Sequence, residues 1–522
     1  MKEFEENLNL LAFGKKESIA CSISIVEKFI AFISISFAMT LKFNKSFKFG
    51  FSTVGVQHEM GLPGSEFVSD WTIWLHDAEN MAAGLVSGDA PENGPGYWNL
   101  FQEDNTRAVS IGMDAAWFTV EWARIFPKPT FDIEVAVERS GEDIRNVSID
   151  RECIERLSKL ANKEALKHYR EILEDWKNRG GLVVANLFHW SIPPWLHDPI
   201  KVRKLGPDRA PSGWLDSRII VEFSKFAAFV SHELDDLVDA WYTMNEPEVV
   251  ASLGYLSVGS GFPPGYLDFK SYELARKHLA EAHARAYDAV KLFSKKPVGI
   301  VESVADWVPL KEEDAEAAEK GFEHNVWPFE AAFKGVFNGL EREDLKGRLD
   351  WVGLNYYTRN TVGRDEAPPG YTTLSNYGYG CTPGGVSKEG RPCSDFGWEV
   401  YPEGLYNVLE KLWKRYGVPI YVTENGIADA TDRLRPHFIV SHLYQVYRAL
   451  EKGIDVRGYF HWNLTDNLEW ARGYSMRFGL FHVDFKTKRR YARPSALVFR
   501  EIAKNKEIPE HLLHLTEPPR VY

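Results

Sequence analysis

Residues 157–190 read LSKLANKEALKHYREILEDWKNRGGLVVANLFHW, and this stretch decides the fold. Leu157, Leu160, Ala161, Ala165, Tyr169, Ile172, Leu173 and Trp176 recur at helical spacing, which predicts an amphipathic helix. Gly180-Gly181 supply a residue able to take positive φ and stop it. Leu182 to Leu187 is short and almost wholly apolar, as a strand buried on both faces must be. It ends abruptly in Phe188-His189-Trp190.

The same unit recurs on either side. Asp216-Ser217 are cap candidates for a helix carrying Ile219, Ile220, Phe223, Phe226, Ala227 and Val230, followed by an apolar strand that ends in Asn245-Glu246-Pro247. Leu405, Leu409, Leu412 and Tyr416 mark a helix stopped at Gly417, and the next strand ends in Glu424-Asn425-Gly426. Strand candidates lie near 47–56, 114–120, 182–187, 238–244, 298–301, 351–354, 420–423 and 457–460. Alternation of buried strands with helices implies a parallel sheet, and eight of them imply an α/β fold closed as a (β/α)₈ TIM barrel. The active site of such a barrel lies at the C-terminal strand ends. An open doubly wound sheet is the alternative, but no G-x-G-x-x-G follows the first strand. The intervals 127–156 and 359–400 read as long loops over the barrel mouth. We expect one barrel domain over 39–522 and an N-terminal extension over 1–38.

That extension differs from the rest. Ile19 to Phe37 is apolar but interrupted by Glu27 and Lys28, and its longest clean run falls far short of the ~20 residues a spanning helix needs. It reads as a dispensable segment or an upstream start, with Met39 a natural beginning; a signal peptide is the alternative. We therefore expect a cytoplasmic protein without a membrane span, secretion being the competing reading. The formal net charge of −12 excludes nucleic acid as a partner, because no basic surplus exists to neutralise phosphates. Seventeen Trp and 22 Tyr exceed ordinary core needs; composition alone favours reading them as a large aromatic core, with flat faces suited to sugar rings as the alternative. Among the four cysteines there is no C-x-x-C; Cys381 and Cys393 flank a Pro/Gly-rich loop and can be read as paired or as free thiols. Neither H-E-x-x-H nor G-x-S-x-G occurs.

Glu246 and Glu424 stand out because each follows an apolar strand and is flanked by Asn. Cleavage of an acetal needs one acid to protonate the leaving oxygen and one carboxylate facing the anomeric carbon. With these two motifs, the chain from about Phe43 onward resembles glycoside hydrolase family 1, in particular its archaeal-type β-glycosidases. The resemblance implies retention, with Glu424 as nucleophile and Glu246 as general acid/base, needing neither metal nor organic cofactor. It implies as substrate a terminal, non-phosphorylated β-D-glycoside or oligosaccharide of glucoside or galactoside type, and a homo-oligomer. By the same resemblance Gln57, His189, Asn245, Trp462, Glu469, Trp470 and Phe478 bind the sugar, while Asn355 and Tyr357 orient Glu424. A carboxylate at Glu469 accepts bonds from neutral hydroxyls and repels a phosphate.

One position departs from the family pattern. Family members usually carry an Arg five residues before the tryptophan that is Trp122 here, where it pairs with the nucleophile; this chain has Trp117. Loss of that cation should raise the pKa of Glu424, and Arg124 occupies a separate family position. A changed pH profile, weaker activity or an unusual substrate is expected. The competing functions are a sugar-binding protein that has lost catalysis and a transglycosylase using the same covalent intermediate.

Overall fold

The structure, a computed structural model, describes residues 40–517 and 519. Expectations for residues 1–38, for Met39 and for Cys21 lie outside the described residues. All eight strand candidates form: β1 (Lys48–Thr53), β2 (Ala115–Thr119), β3 (Leu182–Asn186), β4 (Ala240–Asn245), β5 (Val298–Ser303), β6 (Trp351–Asn355), β7 (Ile420–Asn425) and β8 (Val456–His461). They pair in parallel in chain order and close into a barrel, with β8 against β1.

The two-residue period of a strand explains how the barrel fills. Ala115, Trp117, Val184, Tyr242, Val301, Trp351 and Phe460 pack together inside. Their neighbours Ala116, Phe118, Val183, Ala185, Trp241, Val352 and Tyr459 point the other way, into the layer shared with the helices. Large aromatic side chains thus occupy the interior, and they set the floor of whatever lies above.

The opening stretch behaves as read, with one correction. Its helical pattern is two helices, Arg151–Leu160 and Lys163–Asn178, not one. Ala161 is extended, and the Asn162 side chain accepts from the Ala165 N–H, starting the second helix afresh. Apolar spacing carries through the break, but an Asn at an N-cap competes with continuous helix. Gly180 takes φ 80° and ends the second helix. Gly417 does the same at φ 63° after the helix Glu403–Tyr416.

The interval 127–156 contains a hairpin, Ala136–Ser140 with Asp143–Ser148, that packs on the helices Arg218–Leu234 and Phe269–Phe293. The interval 359–400 ends in Phe396 and Trp398, which stack on each other beside the strand ends. Cys381 and Cys393 within it are disulfide-bonded, with Cα atoms 6.3 Å apart; Cys153 is a buried free thiol. Among the described residues no helix is long and apolar enough to cross a membrane.

Candidate active site

Glu246 and Glu424 leave the C-terminal ends of β4 and β7 and are almost fully buried, at 5% and 4% exposure. β6 lies between them in the barrel order and supplies the link. Its last residue, Asn355, donates through Nδ2 to Glu246 Oε1 at 2.6 Å and to Asn245 Oδ1 at 3.1 Å. Asn355 Oδ1 accepts from the Thr423 hydroxyl at 2.7 Å, and Asn355 stands in register with Glu424. Two residues on, the Tyr357 hydroxyl donates to Glu424 Oε2 at 2.5 Å. The expected orientation of Glu424 by both residues is direct for Tyr357. Asn355 serves Glu246 as well, by a bond that sequence reasoning did not anticipate. Glu424 Oε1 is buried without a protein partner.

The remaining candidates gather round this pair. His189 lies beside Asn245, its Nε2 3.5 Å from Asn245 Nδ2. Burial pushes the imidazole well below its ordinary range, so it is neutral. Its ring is parallel to Trp462 and to Trp470, at 6.3 Å and 5.9 Å between centroids. Trp470 packs in turn on Trp71 and Trp190. Phe478 meets Tyr357 and Trp398 on the opposite wall. Gln57 sits in the turn Gly55–Glu59 directly after β1 and donates to Glu469 Oε2 at 3.4 Å. All the residues singled out from the sequence are therefore brought together.

Others were missed. Asn467 donates to Glu469 Oε2 at 3.1 Å and leaves its own Oδ1 unpartnered, as Gln57 does its Oε1. Its place two residues before Glu469 is the signal in the sequence that could have found it. Trp398 carried no signal, because its contact with Tyr357 at 5.0 Å spans a long irregular segment. Asn463 fits a glycosylation pattern, yet its side chain is fully buried and bonded to His58.

Burial dominates the electrostatics. It pushes Glu246 up to about 7 and raises Glu424 well above the usual carboxylate range, with repulsion from Glu246 adding to the effect on Glu424. The bond from Tyr357 favours the ionised form of Glu424. Glu469 is likewise pushed up to about 7, first by desolvation. No cation relieves this crowding: among the described residues none of the three carboxylates has a Lys, Arg or His nitrogen within ion-pair distance. Trp117 occupies the place where the cation was missed. Its ring is parallel to His189 and Trp462, and its indole N–H donates to the Thr423 carbonyl at 3.0 Å. Arg124 is committed elsewhere, to buried Glu59 at 2.8 Å. Among the described residues no group of three or more His, Cys, Asp or Glu is arranged to hold a metal ion.

A buried pair of carboxyls at the strand ends, ringed by aromatic faces and unpartnered acceptors, suits a sugar with its hydroxyls and apolar C–H faces. Comparison with known proteins agrees. Residues 157–508 match the family model described as glycosyl hydrolase family 1. The chain is 53% identical over 485 residues to a β-galactosidase of Saccharolobus solfataricus, covering 92% of this chain and 98% of that one. Among solved structures it resembles the β-glycosidase of the hyperthermophile Thermosphaera aggregans, at TM-score 0.89 and 52% identity, covering 92% of this chain and all of that one. It also resembles a β-glucosidase mutant derived from a hyperthermophilic tetrameric structure, at TM-score 0.87 and 54% identity, covering 91% and 98%.

Proposed function

The chain belongs to glycosyl hydrolase family 1, and from that membership we propose a retaining β-glycosidase in which Glu424 is the nucleophile and Glu246 the acid/base. The Glu424 carboxylate attacks the anomeric carbon as Glu246 passes its proton to the glycosidic oxygen, releasing the aglycone and leaving a glycosyl ester. Ester formation removes the charge on Glu424. The repulsion that kept Glu246 protonated then disappears, and Glu246 can take a proton from the attacking water.

The observation that carries this reading is the linkage of the two carboxyl-bearing strand ends through Asn355, which bonds Glu246 and Thr423 at once. Gln57, His189, Asn245, Trp462, Glu469, Trp470 and Phe478 are assigned to the sugar. Relatives named for β-galactosides and β-glucosides support terminal, non-phosphorylated β-D-glucosides and galactosides as substrates. A homo-oligomer in the cytoplasm is part of the same proposal, supported for assembly by the tetrameric origin described for one solved relative.

The test compares kcat/KM on dinitrophenyl and alkyl β-glycosides. Glu424→Gln should abolish hydrolysis of both. Glu246→Gln should spare the dinitrophenyl glycoside, whose leaving group needs no proton, and lose the alkyl glycoside by about 10²-fold or more. A first-formed α-anomer in the product would contradict retention. Transfer products that outweigh hydrolysis on adding an alcohol would favour the transglycosylase instead.

A further inference from the structure

The helix Pro247–Tyr255 begins immediately after Glu246, which occupies its N-cap position. A residue there ordinarily uses its side chain to satisfy a free N–H of the first turn. Glu246 makes no such bond; its carboxyl turns instead to Asn355. The donor is satisfied from the neighbouring strand. Glu302, on β5 and fully buried, accepts from the Glu248 N–H through Oε2 at 3.0 Å and from the Ser303 N–H through Oε1 at 2.8 Å. The Glu246 N–H itself donates to the Val301 carbonyl at 2.8 Å, so the turn is fastened to β5 at two successive residues. Glu246 needs this fastening. At φ 51° and ψ 58° it is left-handed, a conformation that a side-chain-bearing residue keeps only when its surroundings enforce it.

We propose that Glu302 is a positioning residue for the proton-transfer step: by capping the Glu248 N–H it holds the left-handed turn that aims Glu246 into the pocket, and it frees Glu246 from capping its own helix. The inference rests on Glu246 acting as general acid. Other carboxyl groups are already committed. Glu248 is tied to Tyr272, Trp327, His324 and Arg276 on the far side of the helix. Burial of a third carboxyl beside Glu246 and Glu248 is unfavourable, and Glu302 is held well above the usual carboxylate range by it. Two backbone donors and the positive end of the helix offset that penalty.

The experiment measures kcat/KM for dinitrophenyl and alkyl β-glucosides with the full chain carrying Glu302→Leu or Glu302→Gln, beside Glu246→Gln. Leucine removes both acceptors. It should lower the alkyl value at least about tenfold while the dinitrophenyl value stays within about threefold, because only the first needs a well-aimed proton. Glutamine retains one acceptor and should show a smaller loss with the same dependence on leaving group. Equal losses on both substrates, or no loss, would overturn the inference; a merely structural carboxyl predicts the former. Should the leucine variant not fold, the glutamine variant decides by the same criterion. If Glu246→Gln itself slows both substrates equally, the acid assignment fails and this inference falls with it. If Glu246→Gln discriminates and neither Glu302 variant does, only the role of Glu302 is lost.

Discussion

Replacing Trp117 by Arg should move the acid limb of the pH–rate profile downward. The Trp117 indole already reaches the carbonyl of Thr423, the residue preceding Glu424. An arginine side chain at this position has similar reach, and a guanidinium–carboxylate separation of about 4 Å is taken for the pair. At an effective dielectric constant near 20 such a pair is worth about 4 kcal/mol. Desolvation of the guanidinium offsets part of this, so the pKa of Glu424 should fall by about 1–3. The sign follows from the chemistry. The nucleophile must be ionised, so activity exists above its pKa, and burial together with Glu246 now holds that pKa high. Lowering it extends activity toward acid. At a pH well below the limb of the parent enzyme, kcat/KM should rise about tenfold for each pH unit by which the limb moves. The substitution has a cost: it breaks the parallel contacts with His189 and Trp462 and the bond to Thr423, where truncation of a buried tryptophan to alanine costs about 3–5 kcal/mol. Arg refills part of that space, so a lowered unfolding temperature but a folded protein is expected. Trp117→Leu is the control, losing packing without adding charge. Initial rates across a pH range of about 4–9 on a dinitrophenyl glycoside read the limb directly. A folded Arg variant whose acid limb is unmoved, or a Leu variant that moves it equally, refutes the electrostatic reasoning.

Tyr357→Phe removes the hydroxyl that donates to Glu424; a hydrogen bond to a charged group is worth about 1.5–3 kcal/mol, so kcat/KM should fall about 10- to 100-fold and the acid limb move up, as rates across pH would show. The alkaline limb should fall near neutrality, because Glu246 is pushed up to about 7 and activity is lost as its proton leaves; a limb above about pH 9 in the free enzyme would contradict this. Arg124→Met leaves Glu59 buried and unpaired, which should cost about 3–5 kcal/mol in denaturant titration. Reduction of Cys381–Cys393, which closes a short loop, should destabilise by at most about 3 kcal/mol, and an unchanged thermal midpoint under dithiothreitol would exclude a stabilising role.

The barrel was legible because its signal is physical and repeated. A strand buried on both faces must be largely apolar, and a glycine or a polar turn stops the helix before it, as Gly180 and Gly417 do. Chain order supplied the rest, since parallel neighbours in a barrel are consecutive. Break points were harder to see: Asn162 restarts a helix within an uninterrupted apolar spacing, and only its cap bond reveals this. The hairpin 136–148 was opaque for the opposite reason. Its first strand is largely exposed and its second is half-buried apart from Ile144, so no continuous buried face marks them as strands.

At the site, identity was legible but partnership was not. Motifs named Glu246 and Glu424, yet nothing linear shows that Asn355 bonds Glu246, or that Glu302 caps the turn on which Glu246 sits; those contacts join strands more than fifty residues apart. Trp117 marks the limit most clearly. The sequence could show that an arginine was absent from its usual place, but a basic side chain from any other strand could have replaced it. The pocket contains no such replacement among the described residues, and the one nearby candidate, Arg124, neutralises Glu59 instead. What remains to favour charge on Glu424 is neutral: the one tyrosine hydroxyl of Tyr357. Neutral donors stabilise a carboxylate less than a cation does. The pair must therefore hold its proton to a higher pH than it would beside an arginine, and it is in that retention, more than in any change of mechanism, that the tryptophan at position 117 should be felt.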